Sequence, residues 1–206
     1  MRNKEIKIIF WDFDGVIMNS NSIRDFGFQY CLTDFPQYQI DELMVYHRLN
    51  GGLSRYNKFR YFFEKIRGEE VSDARILDFS QNFSSIMKDK LCDKNLLIKE
   101  IINFIKINYK NFTFHITSGS DENELRFICK ELDISAYFKS IHGSPTPKNL
   151  LVKELIINNN YPKKNCLLIG DSVNDFQAAH DNGIYFKSYN ASNDVNALTN
   201  YKFEIL

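Results

Sequence analysis

The chain has 206 residues, 44% of them hydrophobic and 25% charged, which suits one large globular domain or a core domain carrying an insert. Lys and Arg total 26 and Asp and Glu total 26, so there is no net field to hold a polyanion, and dedicated nucleic-acid binding is set aside. The charged opening, Met1–Glu5, runs into an apolar stretch that Asp12 interrupts, a pattern of neither a signal peptide nor a membrane span, and the expected location is cytoplasmic.

Ile6–Trp11 is an apolar run of strand length that stops abruptly at a polar turn. Helical periodicity then dominates residues 16–95, with amphipathic segments at Ser22–Leu32, Ile40–Leu49, Ser54–Ile66 and Asp73–Leu91, broken by Asp34-Phe35-Pro36, Gly51-Gly52 and Gly68. This stretch is too long for a simple crossover and reads as an inserted helical cap. Leu96–Ile107 returns the chain to the core as a helix, Phe112–Thr117 is a second buried strand, and Glu122–Leu132 is the helix after it. Pro145 and Pro147 occupy the turn before a helix at Lys148–Ile157. Cys166–Ile169 is a third strand, followed by a helix at Asn174–Asn182, and Tyr185–Leu206 carries no sharp pattern. Strands alternating with helices predict an α/β fold, a Rossmann-like parallel sheet covered by helices on both faces, with residues 1–15 and 96–206 as core domain and 16–95 as all-helical cap. Cys31, Cys92, Cys129 and Cys166 are widely spaced, form no Cys-x-x-Cys pair, and read as reduced thiols.

Chemistry collects at four places. The first strand ends in Asp12-Phe13-Asp14-Gly15, two carboxylates on one side of an extended chain, where α/β proteins place ligands. Their repulsion calls for a cation or a shared proton, although simple turn capping is the alternative. The third strand ends in Gly170-Asp171-Ser172-Val173-Asn174-Asp175. Converging strand ends would bring Asp12, Asp171 and Asp175 together as hard oxygen donors of the kind Mg²⁺ prefers, while Ser172-x-x-Asp175 also fits a helix capping box. The second strand ends in Thr117-Ser118-Gly119-Ser120, a hydroxyl-rich turn that either binds an anion or only caps the next helix. Lys148 stands at a helix start, against the helix dipole, where a solvated lysine is the plain alternative to a functional one.

The order Asp-x-Asp-Gly, Thr-Ser-Gly, Lys and Gly-Asp-x-x-x-Asp, each beside a strand or helix end, resembles the haloacid dehalogenase-like hydrolase superfamily over nearly the whole chain. It is most similar to the capped, phosphoglycolate phosphatase-like and β-phosphoglucomutase-like members. The resemblance implies that Asp12 is the nucleophile that becomes an aspartyl-phosphate. Asp14 would be the acid that protonates the leaving oxygen and then activates water, its pKa raised by the crowding of acids. Ser118, with Thr117 as the alternative one residue away, would hold the phosphoryl group beside the Gly119 amide, and Lys148 would neutralise its charge. Mg²⁺ would be held by Asp12, Asp171, the carbonyl of Asp14 and, directly or through Lys148, Asp175. The expected reaction is Mg²⁺-dependent hydrolysis of a small phosphorylated metabolite by a monomer or homodimer. A phosphoglucomutase-like phosphotransferase and a non-catalytic binding protein are the rivals.

Asp14 argues against a dehalogenase, which lacks the second acid. Neither Lys58 nor Lys65 lies in the motif that phosphonate-cleaving relatives use to form a Schiff base. The Gly51-Gly52 turn is flanked by His47, Arg48, Arg55, Lys58 and Arg60. Arg48, Arg55 and Arg60 are therefore candidates for binding a second anion or several hydroxyls of the substrate, unless, being opposite Phe59, Phe62, Phe63 and Ile66, they are only solvated. His115, His142 and His180 read as structural.

Overall fold

β1 (Ile8–Trp11) is the middle strand of a five-stranded parallel sheet in a computed structural model that describes residues 6–204. Met1–Glu5 and the last two residues, which the expected core domain includes, lie outside the described residues. β2 (Thr113–Asp121) and β4 (Cys166–Gly170) flank β1, with β3 (Ser140–Ser144) outside β2 and β5 (Tyr185–Ser188) outside β4. All four residues of β1 are buried because both faces of the sheet are covered. The two-residue period sends Ile9 and Trp11 into one core with Phe114 and Ile116, and Ile8 and Phe10 into the other with Leu168 and Phe186.

The three strands expected from apolar runs are present, and two more complete the sheet. β3 and β5 are its edges, and their sequences, Ser-Ile-His-Gly-Ser and Tyr-Phe-Lys-Ser, mix polar with apolar residues because an edge strand is partly exposed. β2 runs four residues further than its apolar segment, to Asp121, with a break in its pairing to β3 between Thr117 and Asp121. The segment expected to be a turn is therefore extended backbone.

Between β1 and β2 lie α1 (Asn21–Cys31), α2 (Gln37–Leu49), α3 (Arg55–Tyr61) and α4 (Asp73–Lys90). α3 continues into one π-helical turn, Phe62–Ile66. Ser54 and Ser72 cap α3 and α4 by accepting the amides of Asn57 and Arg75 at 3.3 and 3.2 Å. These helices close around their own aromatic cluster. Phe28, Phe59 and Phe83 pack in tilted and edge-on contacts with centroids 4.6–6.2 Å apart, and Phe35 packs on Phe62 and Phe63 at 5.1 and 5.7 Å. Each of the buried rings, Phe28, Phe59, Phe62, Phe63 and Phe83, contributes on the order of 1.5–3 kcal/mol of transfer free energy. The chain leaves for this insert and returns from it side by side: the Asn19 amide donates to the Leu96 carbonyl at 2.8 Å, and the Ile98 amide to Ile17 at 2.9 Å.

α5 (Lys99–Asn108) and α6 (Glu122–Glu131) cover the first sheet face through Ile101, Ile105, Leu125 and Ile128. α7 (Lys148–Asn158) and α8 (Val173–Asn182) cover the second through Val152, Ile156, Ala178 and Ala179, and the short α9 (Asn193–Asn196) adds Val195. No helix among the described residues is long and apolar enough to cross a membrane. All four cysteines are free thiols.

Candidate active site

The carboxyl ends of β1 and β4 and the first turns of α7 and α8 bring four charged groups to one point. Asp12, at the end of β1, is tied to β4 by its amide, which donates to the Ile169 carbonyl at 2.9 Å. Its Oδ1 accepts from Lys148 Nζ at 2.8 Å. The same ammonium contacts Asp175 Oδ1, while Asp175 Oδ2 accepts from the Ser172 amide at 3.1 Å and the Ser172 hydroxyl at 2.6 Å. Asp175 is thus both the helix cap and the holder of Lys148, with donors on both oxygens. Asp12, Asp171 and Asp175 each present an oxygen within 4.8 Å of the others. Gly15 makes this possible on the near side: its φ of +77° suits glycine, and a Cβ there would fall 2.0 Å from Asp171 Oδ2.

The electrostatics report an excess of negative charge. Burial, then Asp175, raise Asp12 well above the usual carboxylate range against the opposing pull of Lys148. Burial and Asp175 likewise push Asp171 up to about 7. Lys148 is raised despite its burial, because Asp12 and Asp175 hold its proton. A hard divalent cation would relieve this excess, and the all-oxygen donor set of Asp12 and Asp171 fits one.

Asp14 departs from expectation. Burial works to raise it, but Arg24, with hydrogen bonds from Ser120 and Ser20, outweighs that and holds the carboxyl below its ordinary value. Arg24 Nε donates to Asp14 Oδ1 at 2.9 Å, joined by Ser20 Oγ at 2.5 Å, and Ser120 Oγ donates to Oδ2 at 2.5 Å. The crowding of acids raises Asp12 and Asp171 instead, because the insert supplies Asp14 with a buried guanidinium that no local motif announces. Arg24 in turn shares Glu124 of α6 with Arg55 of α3, each at 2.5 Å.

Ser118 is buried within β2, where its hydroxyl accepts the Ser120 amide at 3.1 Å. Ser118, Gly119 and Ser120 line the same cavity of about 750 Å³ as Asp12, Asp14 and Asp171. Thr117 is fully buried away from it, its hydroxyl without a partner, which disfavours the alternative register. Asp121, not Ser120, caps α6 by accepting the Glu124 amide at 3.0 Å. Gly119 meets the insert: a Cβ there would lie 2.1 Å from the Gly52 carbonyl oxygen. Gly119→Ala is therefore expected to push the Gly51-Gly52 loop off the cleft and lower kcat/KM about tenfold or more, ~1.4 kcal/mol. Thermal unfolding should shift by only a few degrees; an unchanged kcat/KM would show that this approach is dispensable.

A family model described as haloacid dehalogenase-like hydrolase matches residues 8–188. The chain belongs to the haloacid dehalogenase-like hydrolase family. It is similar to a phosphoglycolate phosphatase of Mannheimia succiniciproducens, 23% identical over 194 residues that cover 88% of this chain and 84% of that protein. Among solved structures it resembles a haloacid dehalogenase-like hydrolase from Streptococcus pneumoniae, with a TM-score of 0.69 and 20% identity over 95% of this chain and 92% of that one. CbbY from Rhodobacter sphaeroides, solved in complex with phosphate, superposes with a TM-score of 0.71 at 12% identity, covering 95% and 92%. These structural likenesses carry the fold.

The arginines expected to meet substrate in this hydrolase divide. Arg60 lies outside the cavity, bonded to Glu64 at 3.1 Å and Asp73 at 2.5 Å, because it is on the solvent side of α3. Arg55 lines the cavity but is buried and committed to Glu124 and to Ser84 Oγ at 2.7 Å. Arg48 lines it too, exposed, and forks onto Asp25 at 2.9 and 3.1 Å. Arg24 and Asp25, not picked out by sequence reasoning, also line the wall, with Glu124 buried behind it, and His47 and Lys58, noted as cations beside the Gly51-Gly52 turn, line it too. For Arg55 and Lys58 the legible signal of burial was helical phase, since they stand four residues before Phe59 and Phe62 and so share the buried stripe.

Proposed function

We propose that this hydrolase is a phosphatase that cleaves the phosphate monoester of a small metabolite through an aspartyl-phosphate on Asp12. The observation that carries the reading is the placement of Asp12, held by Lys148 at 2.8 Å, on the wall of a cavity shared with Asp14 and Ser118. Phosphoryl transfer asks for an in-line nucleophile and positive charge around the equatorial oxygens. An Asp12 carboxylate oxygen attacks phosphorus, the bond to the leaving oxygen breaks, and that oxygen takes a proton from Asp14. Water then attacks the acyl phosphate, Asp14 takes its proton, and inorganic phosphate leaves with Asp12 restored. Asp14 is held as a carboxylate by Arg24, the form the second step needs, so it must take up a proton before the first. Ser118 and the Gly119 amide hold the transferred group, and Lys148, oriented by Asp175, offsets its charge. Asp12, Asp171 and the Asp14 carbonyl would hold Mg²⁺, which supplies charge neutralisation at the phosphoryl oxygens. Residues 16–95 act as the cap that closes this cleft, and the metabolite is small enough to fit beneath it.

The test is phosphate release from a panel of sugar phosphates, phosphoglycolate, acidic-sugar phosphates and nucleotides, with Mg²⁺ or with EDTA. Release that EDTA suppresses at least a hundredfold and Mg²⁺ restores is the expected result. Release from no ester by folded protein would sink the reading.

A further inference from the structure

Among the described residues, Lys58 is the cation of the cleft wall without an ion pair. It is 3% exposed, on α3, and lines the cavity beside His47, Arg48, Asp25 and Phe28. Its Nζ donates to His47 Nδ1 at 2.7 Å and lies 5.7 Å from the centre of the Phe28 ring. His47 Nε2 faces Asp25 Oδ1 at 3.1 Å, so the imidazole is fixed as the tautomer that donates to Asp25 and accepts from Lys58. Burial lowers His47 and keeps it neutral.

The carboxylates that neighbour these cations are already engaged. Asp14 is held by Arg24, Glu124 by Arg24 and Arg55, and Asp25 by Arg48 and His47. Of the cations that line the cavity (Arg24, Arg48, Arg55 and Lys58), only Lys58 lacks an ion pair among the described residues. Two further donors here, Arg24 Nη2 and Arg55 Nε, are buried without an acceptor. A buried ammonium with one neutral partner is costly unless something completes it, and here the open side is the cavity.

We propose that Lys58, oriented by the His47–Asp25 pair, is the specificity residue of the cleft and binds a second anionic group, a carboxylate or a second phosphate, on the substrate being dephosphorylated. This deepens the phosphatase reading and rests on it for the word substrate. The preferred esters are then those with two anions, over neutral or hydroxylated ones of equal size.

Burial, opposed by Asp14 and Asp25 and reinforced by Arg24 and Arg55, brings Lys58 down to about 7. His47 on α2, Asp25, Arg24 and Phe28 on α1, Arg55 on its own helix and Asp14 after β1 are the groups that face it. The ammonium form is the one that binds an anion, so preference for two-anion esters should weaken as pH rises through 7.

The experiment uses matched pairs: 2-phosphoglycolate against 2-hydroxyethyl phosphate, and propane-1,3-diol bisphosphate against 3-hydroxypropyl phosphate. These are measured as turnover by wild type, Lys58→Met and Lys58→Arg, and as calorimetric binding to Asp12→Asn. At least one two-anion ester should exceed its neutral partner about thirtyfold in kcat/KM, mainly through KM, and which one does so tells carboxylate from phosphate. Lys58→Met should erase that ratio and Lys58→Arg retain most of it. Equal kcat/KM within each pair for wild type, or an undiminished ratio in Lys58→Met, overturns the inference. No turnover of any ester, with tighter binding of the two-anion members to Asp12→Asn, would sustain this anion site while the hydrolase mechanism failed; equal binding would remove it too.

Discussion

Asp12→Asn is expected to reduce phosphate release by at least about three orders of magnitude while leaving the protein folded. The amide keeps the shape of the side chain but cannot form the acyl phosphate. Folding should survive because Asp12 is a buried carboxyl that burial and two neighbouring acids already disfavour as an anion. Lys148 also keeps Asp175 as a partner after the change. Single-turnover phosphate release and thermal unfolding, read on the same preparation, check both halves. A variant that kept a tenth of wild-type turnover would remove Asp12 from covalent catalysis.

Glu124→Ala is expected to be the most destabilising single change among the residues described above. Glu124 is fully buried and anchors Arg24 and Arg55, two guanidiniums that come from the insert to a helix of the sheet layer. Removing one member of such a cluster strands buried charge and costs about 3–5 kcal/mol. For a chain of this size that corresponds to a drop of roughly 6–20 °C in Tm. Burial alone would raise the Glu124 carboxyl, but Arg24 and Arg55 outweigh it and hold it below its ordinary value of 4.5. The sign follows: the stabilisation is complete above the unfolded value and is lost as pH falls through the folded one. Wild type should therefore lose stability below about pH 4.5 more steeply than Glu124→Gln. Calorimetric melts of both proteins between pH 3 and 7 read this directly, and parallel curves would mean that Glu124 does not bear the charge of the two arginines.

Much of the fold was legible because its signals are local. Ile8–Trp11 and Cys166–Gly170 are unbroken apolar runs ended by acids, the pattern of strands buried on both faces of a parallel sheet. The strand ends at Asp12, Asp14 and Asp171 could be read for the same reason, since position at a carboxyl edge follows from neighbours in sequence. β3 and β5 could not, because half-exposed edges mix polar and apolar residues like any loop. Helix phase at α3 puts Arg55 and Lys58 on the stripe of Phe59 and Phe62, so of its three cations only Arg60 is on the solvent side opposite the phenylalanines.

By itself the sequence determined an α/β core, a helical stretch between its first two strands, and a rim of acids with a lysine and a serine whose order marks a hydrolase family. Tertiary structure decided what those charges do. Arg24 reaches Glu124 across 100 residues and Arg55 reaches it across 69, and only the docking of the insert brings them there. That docking holds Asp14 as a carboxylate, occupies three of the four cations on the wall, and leaves Lys58 facing the cavity. Strand-end chemistry is set by covalent neighbours within a few ångströms, whereas the pairing of buried charges is set by which surfaces desolvate each other, and sequence spacing carries no measure of that.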